Sequence, residues 1–214
     1  MVMKLVYFDA KGLAETSRII LAIAGQEYED VRYPIEFKDN RYVRDLFDND
    51  VDKGLLERSM NKLPALYIDN HVICQSKAIE RYLAKKFCLM GSDEFEEAYV
   101  DSICECIRDF KESYMLVKND KDLVKKYFEV DLPKKLHDLS LMMNKNGSSF
   151  GYSVSNKITL SDITIYTFIM EFFTDRESVI KSCKHSPKIR SIVNNISSLA
   201  RLQEYLKNRP KTQF

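Results

Sequence analysis

The chain has 214 residues, with 33 Lys and Arg against 32 Asp and Glu, and a formal net charge of +1. At 45% hydrophobic and 30% charged residues it is neither disordered nor membrane-embedded, and the balanced charge excludes bulk electrostatic binding to nucleic acid or anionic lipid. No apolar stretch approaches the roughly 18 residues of a membrane span. The opening Met-Val-Met-Lys-Leu-Val-Tyr-Phe-Asp turns polar too soon for a signal peptide, so a cytoplasmic protein is expected.

Lys4 to Phe8 reads as a short strand that Asp9 to Gly12 ends. Leu13 to Ala24 has a helical apolar pattern with Gly25 as its stop, and Tyr28 to Tyr33 reads as a second strand. This is a βαβ unit with a parallel pair. From Pro34 to Lys62 the chain is polar, and Phe37, Tyr42, Val43, Leu46 and Phe47 are expected on short helical turns. Ala65 to Ile68 and Val72 to Cys74 flank a tight turn and predict a hairpin, followed by a helix over 76–87. The remainder is helical. Apolar residues recur at helical spacing over 93–117 and again over 123–143, where Pro133 predicts a kink or break. The stretch 163–173 is apolar on nearly all sides, as for a central buried helix. Thr159-Leu160-Ser161-Asp162 before it has a capping-box arrangement, which assigns Asp162 to structure. Further helical segments cover 189–193 and 199–206. The domain join is expected between Leu89 and Asp93, giving an α/β domain over 1–88 and an all-helical domain over 93–214.

Several kinds of chemistry are excluded. The five cysteines (Cys74, Cys88, Cys104, Cys106 and Cys183) are odd in number and contain no Cys-x-x-Cys, so reduced and mostly buried thiols are expected. His71, His137 and His185 are scattered, which argues against a zinc hydrolase. None of the 6 glycines falls in a Walker or Rossmann pattern.

The βαβ–ββα layer followed by an all-helical domain resembles the plan of cytosolic glutathione transferases, a thioredoxin-like domain joined to an all-α one. Several motifs carry the resemblance. Leu5-Val6-Tyr7-Phe8-Asp9-Ala10-Lys11-Gly12-Leu13-Ala14-Glu15 is similar to the opening of the sigma class. Lys62-Leu63-Pro64-Ala65-Leu66 resembles the loop whose proline is cis in this family, and Gln75-Ser76-Lys77-Ala78-Ile79-Glu80-Arg81-Tyr82-Leu83 its glutathione-binding helix start. The tail Leu206 to Thr212 is also sigma-like, close to glutathione-dependent prostaglandin D synthases. There are departures. The chain has no Trp, Leu13 stands where an Arg is common, and the stretch between Asp30 and Pro64 is longer than in typical members. Arg108 interrupts the acids Glu105 and Asp109 where prostaglandin synthases hold a divalent metal, so no metal is expected.

The resemblance implies a glutathione transferase that joins the glutathione thiolate to apolar electrophiles. A free thiol has a pKa of about 8.5, and lowering it to about 6.5 needs about 2.7 kcal/mol in favour of the thiolate. A phenol hydrogen bond to sulfur supplies this, and Tyr7 at the end of the first strand is the implied donor. Gln75 and Ser76 are implied to hold the γ-glutamyl carboxylate at a helix N-terminus. The backbone of Leu63, turned outward by Pro64, would pair with the cysteinyl part, and Lys62 would meet the glycine carboxylate. Phe37 and Arg41 have the spacing of the family's Trp and Lys, and Asp109 is implied to reach glutathione on a partner subunit of a homodimer. Phe8, Met115 or Tyr114, Tyr152 and Phe214 are expected walls of an electrophile site between the domains. The alternatives are a glutathione-dependent prostaglandin isomerase and a non-catalytic protein like the S-crystallins.

Overall fold

The computed structural model describes residues 2–212, so Phe214 lies outside the described residues. The described residues form two compact units, 2–83 together with 204–212, and 84–203.

The first unit is built on a four-stranded sheet. Its strands are β1 (Met3–Phe8), β2 (Glu29–Tyr33), β5 (Ala65–Ile68) and β6 (His71–Cys74), in the spatial order β2-β1-β5-β6. β1 pairs parallel with β2, with Tyr7 opposite Arg32, and antiparallel with β5, with Leu5 opposite Leu66. Helix α1 (Glu15–Ala24) makes the crossover between the parallel strands. Gly25 closes it in the left-handed conformation at φ 66°, its N–H donating to the Leu21 and Ala22 carbonyls. The apolar side chains of β1 and β5 are buried with Ile19, Ile20 and Leu21 of α1, a mixed α/β core.

The segment expected as helical turns differs. Glu36–Lys38 (β3) and Arg41–Val43 (β4) form a separate antiparallel hairpin, placing Phe37, Tyr42 and Val43 on strands. The turn residues Asp39 and Asn40 sit at φ 50° and 62°, the pair of positive φ values that a two-residue hairpin demands and that Asp and Asn tolerate. Leu46 and Phe47 do lie on a helix, α2 (Asp45–Asp52).

The tail belongs to this unit because of one buried carboxylate. Glu15, at the start of α1, accepts from Tyr205 at 3.1 Å and from Arg209. It also lies 3.6 Å from the fully buried Arg18, which donates to the Ala10 carbonyl at 2.6 Å and pairs with Asp30 at 3.2 Å. Arg18 thereby fixes the turn that follows β1. The division between the units falls inside α3 (Ser76–Lys86), ahead of Leu89 to Asp93.

The second unit is helical: α4 (Glu94–Val117), α5 (Lys121–Lys126), α6 (Leu132–Lys145), α7 (Leu160–Thr167), α8 (Arg176–Ser182) and α9 (Pro187–Ser197). α10 (Ala200–Asn208) runs into the tail. Every residue of α7 is buried, and it packs against α4 and α9 as the central helix. Pro133 sits in the first turn of α6. The disturbance falls before it, as a π turn over Tyr127–Asp131, because the proline has no N–H to give and its ring crowds the carbonyl a turn earlier. Tyr114 joins an aromatic cluster, with ring centroids 5.3 Å from Tyr127 and 4.9 Å from Phe173. No helix of the described residues is long and apolar enough to cross a membrane.

Candidate functional site

In the first unit a groove of about 310 Å³ is lined by Phe8, Leu13, Arg44, Phe47, Asn61, Lys62, Leu63, Pro64, Gln75 and Ser76. Three loops meet there, following β1, preceding β5 and following β6. Two cations and no carboxylate line it.

Each wall has a local cause. The Leu63–Pro64 bond is cis. Gln75 lies at φ 73°, uncommon for a residue with a Cβ, and its carbonyl accepts from the Ile79 N–H at 3.0 Å. That bond makes Gln75 the cap and Ser76 the first helical residue of α3. The first-turn N–H groups that follow have no acidic side chain in the first turn beside them. Gln75 and Ser76 line the groove, so the start of α3 brings its positive dipole character to it.

Tyr7 is 9% exposed at the end of β1. Its hydroxyl accepts from the N–H of Leu13, a groove residue, at 3.1 Å. That contact occupies a lone pair and leaves the phenolic proton for another acceptor. Gly12 makes the contact possible: it sits at φ 40°, and a Cβ there would stand 2.6 Å from the Tyr7 hydroxyl. The Arg18 guanidinium lies 5.9 Å from the Tyr7 ring centroid and adds a cationic neighbour.

The opposite wall rests on aromatics. Phe47 packs on Phe8 at 5.1 Å and Tyr33 at 5.7 Å, and Arg44 lies 4.9 Å over the Phe47 ring with its Nε 3.1 Å from Asp48. The Tyr33 hydroxyl donates to Asp50 at 2.8 Å, and burial with that acceptor pushes its pKa up to about 12.

Of the residues singled out from sequence, the groove gathers Lys62, Leu63, Pro64, Gln75 and Ser76, with Tyr7 attached through Leu13. Phe37 and Arg41 are not in its lining. Both are exposed on the β3–β4 hairpin, where Phe37 packs on Tyr42 at 5.1 Å and Arg41 pairs in register with Lys38. The hairpin turn at 39–40 carries them off, and the cation in the groove is Arg44. Arg44 and Asn61 were missed because spacing to the preceding strand is uninformative across an unrecognised hairpin. The Asp-Asn pair flanked by aromatics was the available signal.

Asp109 is exposed on α4, in the second unit. Beside it Arg108 lies 2.6 Å from Glu105 and 3.6 Å from Glu112. Tyr152 lines a different cavity, wholly within the helical unit. Asp162 is fully buried and accepts from the Ser153 N–H at 2.6 Å, the Thr159 N–H at 2.8 Å and the Thr159 hydroxyl at 2.8 Å. Burial pushes its carboxyl up while these donors pull it down.

Comparison with known proteins gives a consistent neighbourhood. The family model for the glutathione S-transferase N-terminal domain matches residues 3–85, and that for the C-terminal domain matches residues 108–209. Glutathione S-transferase 1 of Ascaris suum is 30% identical, over 99% of this chain and 98% of its own. S-crystallin 2 of Octopus vulgaris is 28% identical, over 97% of each. Among solved structures, monomeric Na-GST-3, a glutathione S-transferase of the hookworm Necator americanus, superposes with a TM-score of 0.78 at 31% identity over 100% of both chains.

Proposed function

The chain belongs to the glutathione S-transferase family, and on that premise we propose that the groove of the first unit is where it binds and activates glutathione. The protein is a glutathione transferase, with glutathione as co-substrate and electrophilic small molecules as acceptors. The observation that carries the site assignment is the charge pattern of the groove. Two cations, an open helix N-terminus and no carboxylate suit a peptide bearing two carboxylates.

Each role follows from placement. Ser76 and the first N–H groups of α3 hold the γ-glutamyl carboxylate, with the Gln75 side chain beside it. The backbone of Leu63 pairs with the cysteinyl residue as an added strand does. Lys62, joined by Arg44, meets the glycine carboxylate. Tyr7 keeps its proton for the sulfur because Leu13 already fills a lone pair. That donated N–H also polarises the phenol and strengthens its O–H as a donor. The thiolate forms by losing its proton to solvent, attacks the electrophilic carbon, and the leaving group departs with the electron pair.

The finer reading is a sigma-class-like, cytoplasmic, detoxifying homodimer. Exposed Phe95 and Tyr99 on α4 support an isologous contact through that helix, from which Asp109 reaches glutathione bound to the partner subunit. A monomer by light scattering at micromolar concentration removes both the dimer and that role of Asp109. The decisive assay is conjugation of a chloronitrobenzene while glutathione is titrated. Saturable turnover is expected. Glutathione binding without turnover, with this or other electrophiles, moves the chain to the S-crystallin side. The isomerase reading is weaker, since exposed Leu13 lines the groove where an Arg is common in the family. Product analysis with prostaglandin H decides it.

A further inference from the structure

The turn that brings Gly12 and Leu13 to Tyr7 is held by buried charge. Arg18 is fully buried, its Nη1 donating to the Ala10 carbonyl at 2.6 Å and its Nε to Asp30 at 3.2 Å. Asp30 also accepts from Arg32 at 2.8 Å, and Arg32 donates to Asp9 at 3.0 Å. Residues 9 and 10 are thus each tied to an arginine. Three residues after Ala10 comes Leu13, whose N–H donates to the Tyr7 hydroxyl at 3.1 Å.

Glu15 competes for the same guanidinium. It is 2% exposed, and its Oε2 stops 3.6 Å from the Arg18 Nη1 that bonds Ala10, too far for a hydrogen bond. Two buried opposite charges left short of contact need a restraint, because closing the gap gains a charge-assisted bond in a low dielectric. Arg18 also has a donor to spare, since its Nη2 is buried without a hydrogen bond among the described residues. The restraint comes from the tail. Tyr205 donates to Glu15 Oε1 at 3.1 Å, and Arg209 gives its Nη1 to the same oxygen. Arg209 follows α10, with its N–H on the Tyr205 carbonyl at 2.8 Å and its guanidinium 5.9 Å from the Tyr205 ring, so the two donors are held as a pair.

We propose that Arg209 is a positioning residue for formation of the glutathione thiolate. By holding Glu15 back it keeps Arg18 on the Ala10 carbonyl, and through the turn over 10–13 it keeps the Leu13 N–H on the Tyr7 hydroxyl. The proposal rests on the reading of Tyr7 as the donor to sulfur. Without Arg209, Glu15 closes on Arg18, the Ala10 carbonyl loses its donor, and Leu13 drifts off the phenol, which becomes a weaker donor. Tyr205 shares the hold less strongly, because a neutral donor binds a carboxylate less tightly than a guanidinium does. Arg209 does not line the groove, so its effect falls on ionisation and turnover and not on glutathione affinity.

The test follows thiolate absorbance of bound glutathione against pH, together with turnover, in the full chain. Arg209→Ala should raise the thiol pKa by about 0.5–1, so that conjugation at pH 6 falls about three- to eightfold and recovers by pH 9, with KM for glutathione nearly constant. Arg209→Lys should restore the titration. Adding Glu15→Gln to Arg209→Ala should also restore it, because the amide lacks the charge that draws Arg18 away. A lowered melting temperature with an unmoved titration in Arg209→Ala overturns the proposal, as does a double variant shifted as far as the single one. Should Arg209→Ala fail to fold, Tyr205→Phe loosens the same hold, and a titration that does not rise there overturns the proposal equally. Tyr7→Phe run alongside separates the two layers. A shift in Tyr7→Phe without one in Arg209→Ala removes the role of the tail alone, whereas no shift in Tyr7→Phe removes the reading of Tyr7 and the proposal with it.

Discussion

Helices α3 and α7 begin in opposite ways. The N-terminus of α7 is closed: Asp162 takes the Thr159 N–H, the Thr159 hydroxyl and the Ser153 N–H, and all three residues are buried. The N-terminus of α3 is open, with no acidic residue in its first turn and Gln75 and Ser76 lining a groove. Of the donors that a helix start leaves over, those of Thr159 and Leu160 at α7 are taken inside the fold by Asp162 and the Leu89 carbonyl, whereas on the proposed reading those of α3 are kept for an anion. A carboxylate supplied by the chain reads as structure, whereas a missing one beside a cationic groove reads as a place for a ligand's carboxylate.

The strongest way to break this contrast is at the closed end. Asp162→Ala leaves two buried N–H groups without acceptors, each costing about 1–3 kcal/mol, so a loss of about 3–5 kcal/mol is expected in urea denaturation. Glutathione affinity of the folded fraction should stay unchanged. Because burial raises the Asp162 carboxyl, the folded state favours its protonated form. Its contribution is then fully present below about pH 4 and shrinks as pH rises through the raised folded value. Asp162→Asn should flatten that slope, and an equal slope in both proteins would assign it elsewhere.

At the open end the effects should appear in chemistry. Tyr7→Phe removes one oxygen and keeps the ring, and the freed Leu13 N–H belongs to a residue 58% exposed, where water can reach it. Stability should barely move. The pKa of the bound thiol should rise by one to two, about 1.4–2.7 kcal/mol, and conjugation at pH 7 should fall about tenfold or more with partial recovery as pH rises. Thiolate absorbance followed against pH reads this directly. A wild-type titration would pass the role to another hydroxyl, such as that of Ser17. Gly12→Ala should mimic the defect, since its Cβ would stand 2.6 Å from the Tyr7 hydroxyl, and should add a loss of about 1 kcal/mol from the positive φ.

Ser76→Ala is the next step down. Ser76 is the first helical residue and Gln75 the cap, so stability should change by less than about 0.5 kcal/mol. A lost charge-assisted hydrogen bond should weaken glutathione by about 1.5 kcal/mol, or about tenfold, in calorimetry. A lowered melting temperature with unchanged affinity would make this terminus structural, like that of α7.

How much of this was legible follows the range of the causes. β1, α1, β5, β6 and the capping box at Thr159 are specified by residues near in sequence, and periodicity with cap chemistry finds them. The π turn at Phe168–Phe172 is not, because a helical pattern continues through it and no proline marks it, while at Tyr127–Asp131 Pro133 announces a disturbance but not its form. Glu15 with Arg209 is a pairing across the chain that no local window contains. In the site, Gln75, Ser76 and the Lys62–Pro64 loop were legible because each lies beside a strand end. The cation on the opposite wall was not, because its register depends on a hairpin read as helix.

That cation gives the smallest test, and it asks whether the open terminus works alone. Arg44 and Arg41 are three residues apart and chemically equal, yet only Arg44 lines the groove, while Arg41 stands on the hairpin. The Arg44 side chain is exposed enough for water and salt to screen it, and it already lies 3.1 Å from Asp48. Its pull on a glycine carboxylate should therefore be modest, about 1 kcal/mol. Arg44→Ala should raise KM for glutathione about fivefold with kcat nearly unchanged, the pattern of an interaction made equally in the ground and transition states. The effect should shrink as salt is added, since a half-exposed charge is screened over about 8 Å at physiological ionic strength. Arg41→Ala should leave both constants alone. The reverse result, an effect at Arg41 and none at Arg44, would mean that the hairpin folds over the groove when glutathione binds, and the wall opposite α3 would have to be assigned to β3 and β4.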